Sequence, residues 1–389
     1  MVAAIAENRF DRCSRVSGEH ELAVRTALLA DLTPQDLGGW ASLADRARDP
    51  NPFLAPGFVS ALCRRIVDPQ SVIVLLVEET VTGDWLAMGV FRESDVTSTS
   101  PLMYLESLRT DYTFVDGMLV DGDRGDAAIE ALLTELAQQR RWHGLRMRML
   151  HRDSPFSRRF DDTASRIGIV RFTRDETERA EISLERPITV DSLLGGCTKS
   201  RRKKLRRARR VLEDLGTVAF DLITPGPDEQ QCVDEFLQLE KLGWKGEAGT
   251  ALAESSDTEA FFRDAVRAFS RTRDAWFGRL LLNGRAIAST CNFRAGETLY
   301  AFKIGWDPRY EEGLPGYWSE IELASAARRR DPSLKRIDSC SSPGSYVESI
   351  WPGRRTMSFE SYVWSRRAHV MGIVREQLTG AKRLVTESD

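Results

Sequence analysis

The chain has 389 residues, with 55 Lys and Arg against 58 Asp and Glu, a formal charge of −3 and 42% hydrophobic residues. That balance excludes a disordered or uniformly polybasic chain, and the length suits two domains that each bury a core. The longest apolar run, residues 72–77, is too short to span a bilayer, and Glu7, Arg9 and Asp11 have no apolar stretch behind them, so a cytoplasmic protein without a leader is expected.

In chain order, residues 36–48 and 56–66 read as helices. Residues 71–78 and 85–92 read as strands joined by a turn at Thr82-Gly83-Asp84, and 102–108 and 113–120 as two more. Residues 125–141 carry Ile129, Leu132, Leu133 and Leu136 on one helical face. A strand at 145–150, a helix at 154–167 and a short strand at 180–184 complete the first half. The boundary is expected within 186–196, which gives domains 1–185 and 186–389. The second half opens with a helix at 198–215, where Leu205, Ala208, Leu212 and Leu215 share a face and Gly216 supplies the stop. A strand at 218–223 and helices at 228–242 and 258–271 follow. Residues 276–282, 286–293 and 298–306 then read as three consecutive strands; Asn283-Gly284 between the first two is a strong hairpin signal. A helix at 317–330, strands at 334–340 and 357–364 and a helix at 368–377 close the chain. The repeated alternation predicts an α/β chain, in the mixed α+β sense, built from two related modules.

Chemistry-bearing motifs are sparse. The six cysteines (Cys13, Cys63, Cys197, Cys232, Cys291, Cys340) form no CxxC pair, so buried free thiols are expected, with no zinc site or disulfide framework. None of the four histidines accompanies a GxSxG nucleophile motif, and there is no Walker loop or GxGxxG. Three blocks stand out. The first is residues 297–327, a strand, a turn carrying Gly313 and Gly316, and a helix with Trp318, Ile321, Ala324 and Ala327 on one face. Pro315 and Gly316 sit at the helix start, and Arg328, Arg329 and Arg330 close it before Pro332. Free N–H groups and a partial positive charge at such a start meet the physical requirement for holding a phosphate, although the same unit also serves as a purely structural turn.

The second block places nine cations in twelve positions between Lys199 and Arg210. Such density repels itself unless solvent or an anion relieves it, and it could meet RNA, a membrane surface or cofactor phosphates, or be a solvated face over the Leu205 stripe. The third runs from Leu239 to Leu252, where a helix ends in a loop of small residues around Trp244 and Lys245. That pair could line a cleft, or Trp244 could plug the core.

Together these blocks resemble the acetyltransferase-like family, within the GNAT superfamily, that is associated with cellulose biosynthesis. The likeness rests on the basic helix ending in Leu215-Gly216, the Gly243-Trp244-Lys245-Gly246 loop, Gly284-Arg285-Ala286, Phe302-Lys303 with Leu314-Pro315-Gly316, and Asp338-Ser339-Cys340 followed by Trp351-Pro352. It covers residues 195–365 most clearly. The resemblance implies two tandem GNAT-like modules, each a mixed, mostly antiparallel sheet flanked by helices, similar to Fem-type aminoacyltransferases. It also implies an acyl-CoA co-substrate and no metal. Arg309, Gly313, Leu314, Gly316 and Tyr317 take the place of the family's pyrophosphate loop, with a different spacing.

Acyl transfer to an amine needs a base, an oxyanion partner and a proton for the leaving group. Glu240 or Asp338 is the expected base, Tyr310 the acid, Lys303 and Lys245 the anion or substrate contacts, and Trp244 a substrate contact. The alternatives are a helix-surface charge for Glu240, a strand-end cap for Asp338 and a packed hydroxyl for Tyr310; Lys303 on an apolar strand marks a site or an ion pair. The expected activity moves an acyl group from acyl-CoA to an amine or hydroxyl of a small polar or sugar-type acceptor. An aminoacyl-tRNA donor contacted by the Lys199–Arg210 helix, or a scaffold binding an anionic polymer there, are the other readings. The first module is expected to shape the acceptor cleft.

Overall fold

The computed structural model describes residues 12–17, 20–97 and 100–375. Its elements fall into two compact units whose chains interleave: one takes Met1–Pro50, Pro69–Thr177 and Thr356–Asp389, the other Asn51–Asp68 and Glu178–Arg355. The division at residue 185 expected above thus becomes four crossings, because residues 51–68 pack with the second unit and the strand after 355 with the first.

The first stretch supplies β1 (Arg12–Ser17), β2 (His20–Leu28) and α1 (Pro34–Arg46). Thr33 and Asp36 form a reciprocal capping box that starts α1. Residues 51–68 carry α2 (Pro56–Arg65). The first unit resumes with β3 (Ile73–Glu79), β4 (Trp85–Glu93), β5 (Leu105–Ser107), β6 (Leu119–Val120), α3 (Gly125–Gln139), β7 (Gly144–His151) and α4 (Pro155–Arg166). Strand β8 (Val170–Ser183) leads into the second unit, which takes α5 (Val190–Gly196), α6 (Lys199–Leu215), β9 (Val218–Ile223), α7 (Gln231–Leu242), α8 (Trp244–Glu247) and α9 (Ser256–Ser270). It continues with β10 (Ala275–Leu282), β11 (Arg285–Ala295), β12 (Thr298–Trp306), α10 (Pro315–Arg330) and β13 (Arg336–Asp338); β14 (Gly353–Val363) then returns.

Each unit is a mixed sheet flanked by helices. In the first, β2, β3 and β4 run antiparallel, β5 pairs parallel with β7, and β14 pairs antiparallel with β7. Ile129, Leu132, Leu133 and Leu136 of α3 and Phe160 of α4 join Leu75, Val77 and Tyr362 in its core. In the second, β9, β10, β11 and β12 form an antiparallel meander, β13 joins β12 in parallel, and the end of β8 pairs with β13. Residues 51–68 belong here for an apolar reason. Phe53 and Phe58 pack edge-on to Tyr300, Phe261 and Phe293, Arg64 pairs with Asp264 at 2.9 Å, and α2 lies against α9 closely enough that a Cβ at Gly57 would collide with Ala268.

Several expected elements change length. Strand 113–120 contracts to Leu119–Val120, with buried Asp116 accepting from the Arg148 and Met149 N–H groups of β7, and 334–340 contracts to Arg336–Asp338, with buried Asp338 accepting from the Cys340 N–H. Strand 180–184 instead begins at Val170, since its first half alternates polar and half-buried residues. The boundary region expected within 186–196 contains the capped helix α5, started by a Thr189–Ser192 box. The last expected helix, 368–377, lies partly outside the described residues, and 366–375 are helical. No described helix is long and apolar enough to cross a membrane. Five of the cysteines are described in full; all five are free and buried.

Candidate functional site in the second unit

The turn between β12 and α10 is built tightly. Asp307 closes β12, with its carboxylate accepting from Arg309 Nε at 3.0 Å and Nη2 at 2.5 Å, and the guanidinium holds that carboxyl below the usual range. A 3-10 turn over Pro308–Gly313 follows, then Leu314 in the left-handed region at φ 49°. Gly313 is required by packing, because a Cβ there would run into the buried side chain of Leu212 on α6. Leu314 stands at the N-cap of α10 and makes no side-chain cap, so the first N–H groups of a sixteen-residue helix are left for solvent or an anion.

Beside this turn, the sheet opens. β12 and β13 pair only from Thr298↔Arg336 to Tyr300↔Asp338, after which β12 continues alone on that side to Trp306. On its other side the register with β11 skips Phe302, a bulge that turns the strand where it leaves its partner. A strand that splays from its neighbour exposes backbone groups able to orient an extended ligand, next to an uncapped helix start that can take its anionic end. Residues 199–344 match the model of the acetyltransferase (GNAT) domain.

The whole chain is similar in fold to solved structures that share little sequence with it. FemX matches with a TM-score of 0.53 at 11% identity, covering 87% of this chain and 97% of that one. The C-terminal domain of a putative lysylphosphatidylglycerol synthetase from Agrobacterium fabrum matches at 0.51 and 10% identity, covering 88% and 96%. A tandem GNAT protein from the clavulanic acid biosynthesis pathway reaches 0.42 at 13%, covering 88% and 98%. No curated protein matches.

Within the GNAT-matched segment the residues singled out from the sequence fall into two groups. Arg309, Gly313, Leu314, Gly316 and Tyr317 all lie in or at the entry to α10. Tyr317 projects toward α6, where Arg201 donates to its hydroxyl at 3.3 Å with the guanidinium 5.4 Å from the ring. Tyr310 is half-buried with Arg309 6.0 Å from its ring centroid, and Lys303 is half-buried beside the bulge.

The two expected bases are corrected by their surroundings. Glu240 is 1% exposed and its carboxylate is committed: Oε1 accepts from Lys245 Nζ at 2.9 Å and Oε2 from the Leu252 N–H at 2.9 Å. It is neither a surface charge nor a free base. It clamps both ends of the loop over 244–252, and Lys245 also donates to the Ile304 carbonyl of β12 at 2.9 Å, so Lys245 is a tether rather than an open substrate contact. The Trp244 side chain lies outside the described residues. Asp338 is fully buried, accepts from the Cys340 N–H at 2.8 Å and pairs with Arg179 at 3.4 Å, so it ends β13 and neutralises a cation that is itself 2% exposed.

Two buried polar residues in and beside α10 were not singled out as site residues. Glu320 is 4% exposed, burial pushes its carboxyl up to about 8 against the opposing pull of Lys245, and its Oε2 has no hydrogen-bond partner. The Tyr346 hydroxyl is buried and also without a partner; burial and the neighbouring Glu320 raise its pKa well above the ordinary phenol value. Its ring lies 4.7 Å from that of Tyr317. A signal for Glu320 was present in the sequence. It stands four residues after Gly316, hence on the helix face that Gly316 turns toward Ile304 and Trp306, and it interrupts a face otherwise made of small and apolar residues.

Proposed function

We propose that the second unit is an acyltransferase, moving an acetyl or other acyl group from acyl-CoA to an amine or hydroxyl of a small polar or sugar-type acceptor. The observation that carries this reading is the uncapped start of α10 beside the point where β12 leaves β13, inside the GNAT-matched segment. The N–H groups of Gly316 and Tyr317 would meet the pyrophosphate, with Arg309, anchored by Asp307 yet 61% exposed, as its cationic neighbour. The stretch of β12 past its pairing with β13 would orient the acyl arm, with strand backbone N–H groups facing the developing oxyanion. The Glu240–Lys245 clamp holds the adjoining loop to β12.

Thermal unfolding with and without CoA or acetyl-CoA tests this. Ligand at about 100 times its dissociation constant should raise native stability by roughly 2.7 kcal/mol. Gly316→Glu, which puts a carboxylate at the helix start, should remove the rise measured against its own unliganded melting, which falls because the new side chain meets Trp306 and Ile304. A protein indifferent to both ligands would sink the proposal.

A second reading keeps the fold and takes an RNA-borne acyl donor. It is favoured by α6, where Lys199, Lys203, Lys204, Arg206, Arg207 and Arg210 are exposed and have no carboxylate partner among the described residues. A rise in melting temperature with bulk tRNA alone, steeply lost with added salt, would choose it over acyl-CoA.

A further inference from the structure

We propose that Lys245 is a latch across the donor site: it bars the edge of β12 along which an acyl donor would lay its arm, and binding requires its ammonium to leave the Ile304 carbonyl. This rests on the acyltransferase reading and gives that site a closed and an open state. The register shows on which side of β12 the latch lies. Asp307 donates its N–H to the Ile287 carbonyl at 2.9 Å, so those two residues form a hydrogen-bonded pair. Counting back along the antiparallel ladder, Gly305 with Ser289 and Lys303 with Cys291 are pairs of the same kind, and Trp306 with Ala288 and Ile304 with Thr290 are the non-hydrogen-bonded pairs between them. The N–H and C=O groups of Ile304 and Trp306 therefore point away from β11, to the side on which β13 has stopped pairing.

That edge is the one with which an extended arm would pair. It begins beside the proposed phosphate site, since a Cβ at Gly316 would lie 3.3 Å from the Trp306 ring and 3.7 Å from Ile304 Cδ1. The chain that follows α7 already covers it. Lys245 Nζ donates to the Ile304 carbonyl at 2.9 Å, and a Cβ at Gly243 would come within 3.4 Å of the Trp306 carbonyl oxygen. Both outward carbonyls past the bulge thus face residues 243–245, and a donor held at Gly316 and Tyr317 cannot pair with Ile304 while the ammonium is there.

The latch can let go at one point. Its post is fixed, because α7 and β12 meet backbone to backbone: a Cβ at Gly305 would come within 2.4 Å of the Glu240 nitrogen. Buried Glu240 holds Lys245 at 2.9 Å and the Leu252 N–H at 2.9 Å. An ammonium has three N–H donors, and those serving Glu240 and Ile304 are different ones. Lys245 can therefore give up the carbonyl and keep the carboxylate, so opening breaks a bond to a neutral acceptor and strands no buried charge. Beyond Lys245 the loop is exposed from Glu247 to Thr250, with Gly249 at φ 66°, so little packing opposes the movement.

Two measurements test the latch. Glu240→Gln with Lys245→Met removes the bond to Ile304 together with both charges and leaves a glutamine carbonyl for the Leu252 N–H. Isothermal titration calorimetry should show this double variant binding CoA about tenfold more tightly than wild type, the ratio that one hydrogen bond to a charged group is worth. In the wild-type protein, amide hydrogen exchange over residues 244–250 should speed up when CoA binds, whereas a ligand filling a cleft that was already open would slow it or leave it unchanged. CoA binding by the double variant alone would also support the latch. Equal affinity in the two proteins, or exchange over 244–250 that is slowed or unmoved by bound CoA, overturns the latch and leaves the acyl-CoA reading standing; if the variant does not fold, the wild-type exchange decides. Binding of CoA by neither protein overturns both.

Discussion

The second unit leaves open what the first unit fills with its own chain. Both contain a parallel strand pair that meets only briefly, β12 with β13 and β5 with β7, and both follow the first strand of that pair with a helix. In the second unit residues 307–314 suffice to reach α10. In the first, residues 108–124 intervene, and they carry Asp116, which accepts from the N–H groups of Arg148 at 2.7 Å and Met149 at 3.2 Å, the positions on β7 just past its pairing with β5. The carboxyl takes the place of a ligand or a strand. The helix entries differ in the same way. Just ahead of α3, Asp121 accepts from the N–H groups of Asp123 and Arg124 and from Arg46 Nε at 2.7 Å, whereas α10 has no side-chain cap. Two similar frames thus differ in which one carries internal carboxylates at these positions.

This contrast can be broken experimentally. The largest effect is expected from Lys245→Met, which strands Glu240 as an uncompensated buried charge and frees the 244–252 loop; denaturant unfolding should show a loss of about 3–5 kcal/mol. A loss under ~1 kcal/mol would mean that the clamp does not hold the loop.

Next comes Glu320→Gln, whose effect depends on pH. With a folded pKa of about 8 against an ordinary 4.5, the folded wild-type binds more protons than the unfolded chain between those values, so its stability falls as pH rises through that window. The variant lacks this slope. Its advantage should grow between pH 5 and pH 9 to the order of 3 kcal/mol, by 1.36 kcal/mol per pKa unit with some allowance for relaxation. Parallel pH curves for the two proteins would contradict a neutral Glu320.

Asp116→Ala tests the other half of the comparison. It removes the acceptor of two part-buried donors on β7 and should cost about 1 kcal/mol, and no cost would show that Asp116 does not hold this part of the first unit together. The smallest effect on stability is expected from Lys203, Arg206, Arg207 and Arg210 changed together to Gln, within ~0.5 kcal/mol, because all four are exposed. If α6 meets RNA, the same change should flatten the salt dependence of tRNA binding by nearly one logarithmic unit of slope for each phosphate contact removed.

Much of the second unit could be read in advance because its elements are locally specified. β9 and β12 begin and end where their apolar alternation does, and Asn283-Gly284 sets the β10–β11 hairpin, with both residues at positive φ. The entry to α10 was visible from Pro315 and Gly316. What was hidden depends on distant partners. Nothing local distinguishes residues 51–68 from any other amphipathic helix, yet Phe53 and Phe58 complete the aromatic cluster around Phe261, Phe293 and Phe302. Glu240 and Asp338 looked like available bases because their partners, Leu252 and Lys245 for one and Arg179 for the other, are fixed only by the fold. Glu320 was passed over because a glutamate early in a helix is ordinarily a solvent-facing partner of the helix dipole.

The interleaving of the two units also bears on how the chain is made. Phe58 leaves the ribosome some two hundred residues before Phe261, against which it packs, so at about 5–20 residues per second α2 waits roughly 10–40 s for its permanent contacts. The first unit waits longer still, since β14, which pairs with β7, is translated after nearly all of the second. A chain ending near residue 350, after β13 and before β14, should therefore hold a nearly complete second core and an unclosed first one, with the edge of β7 open to a chaperone or to a neighbouring chain.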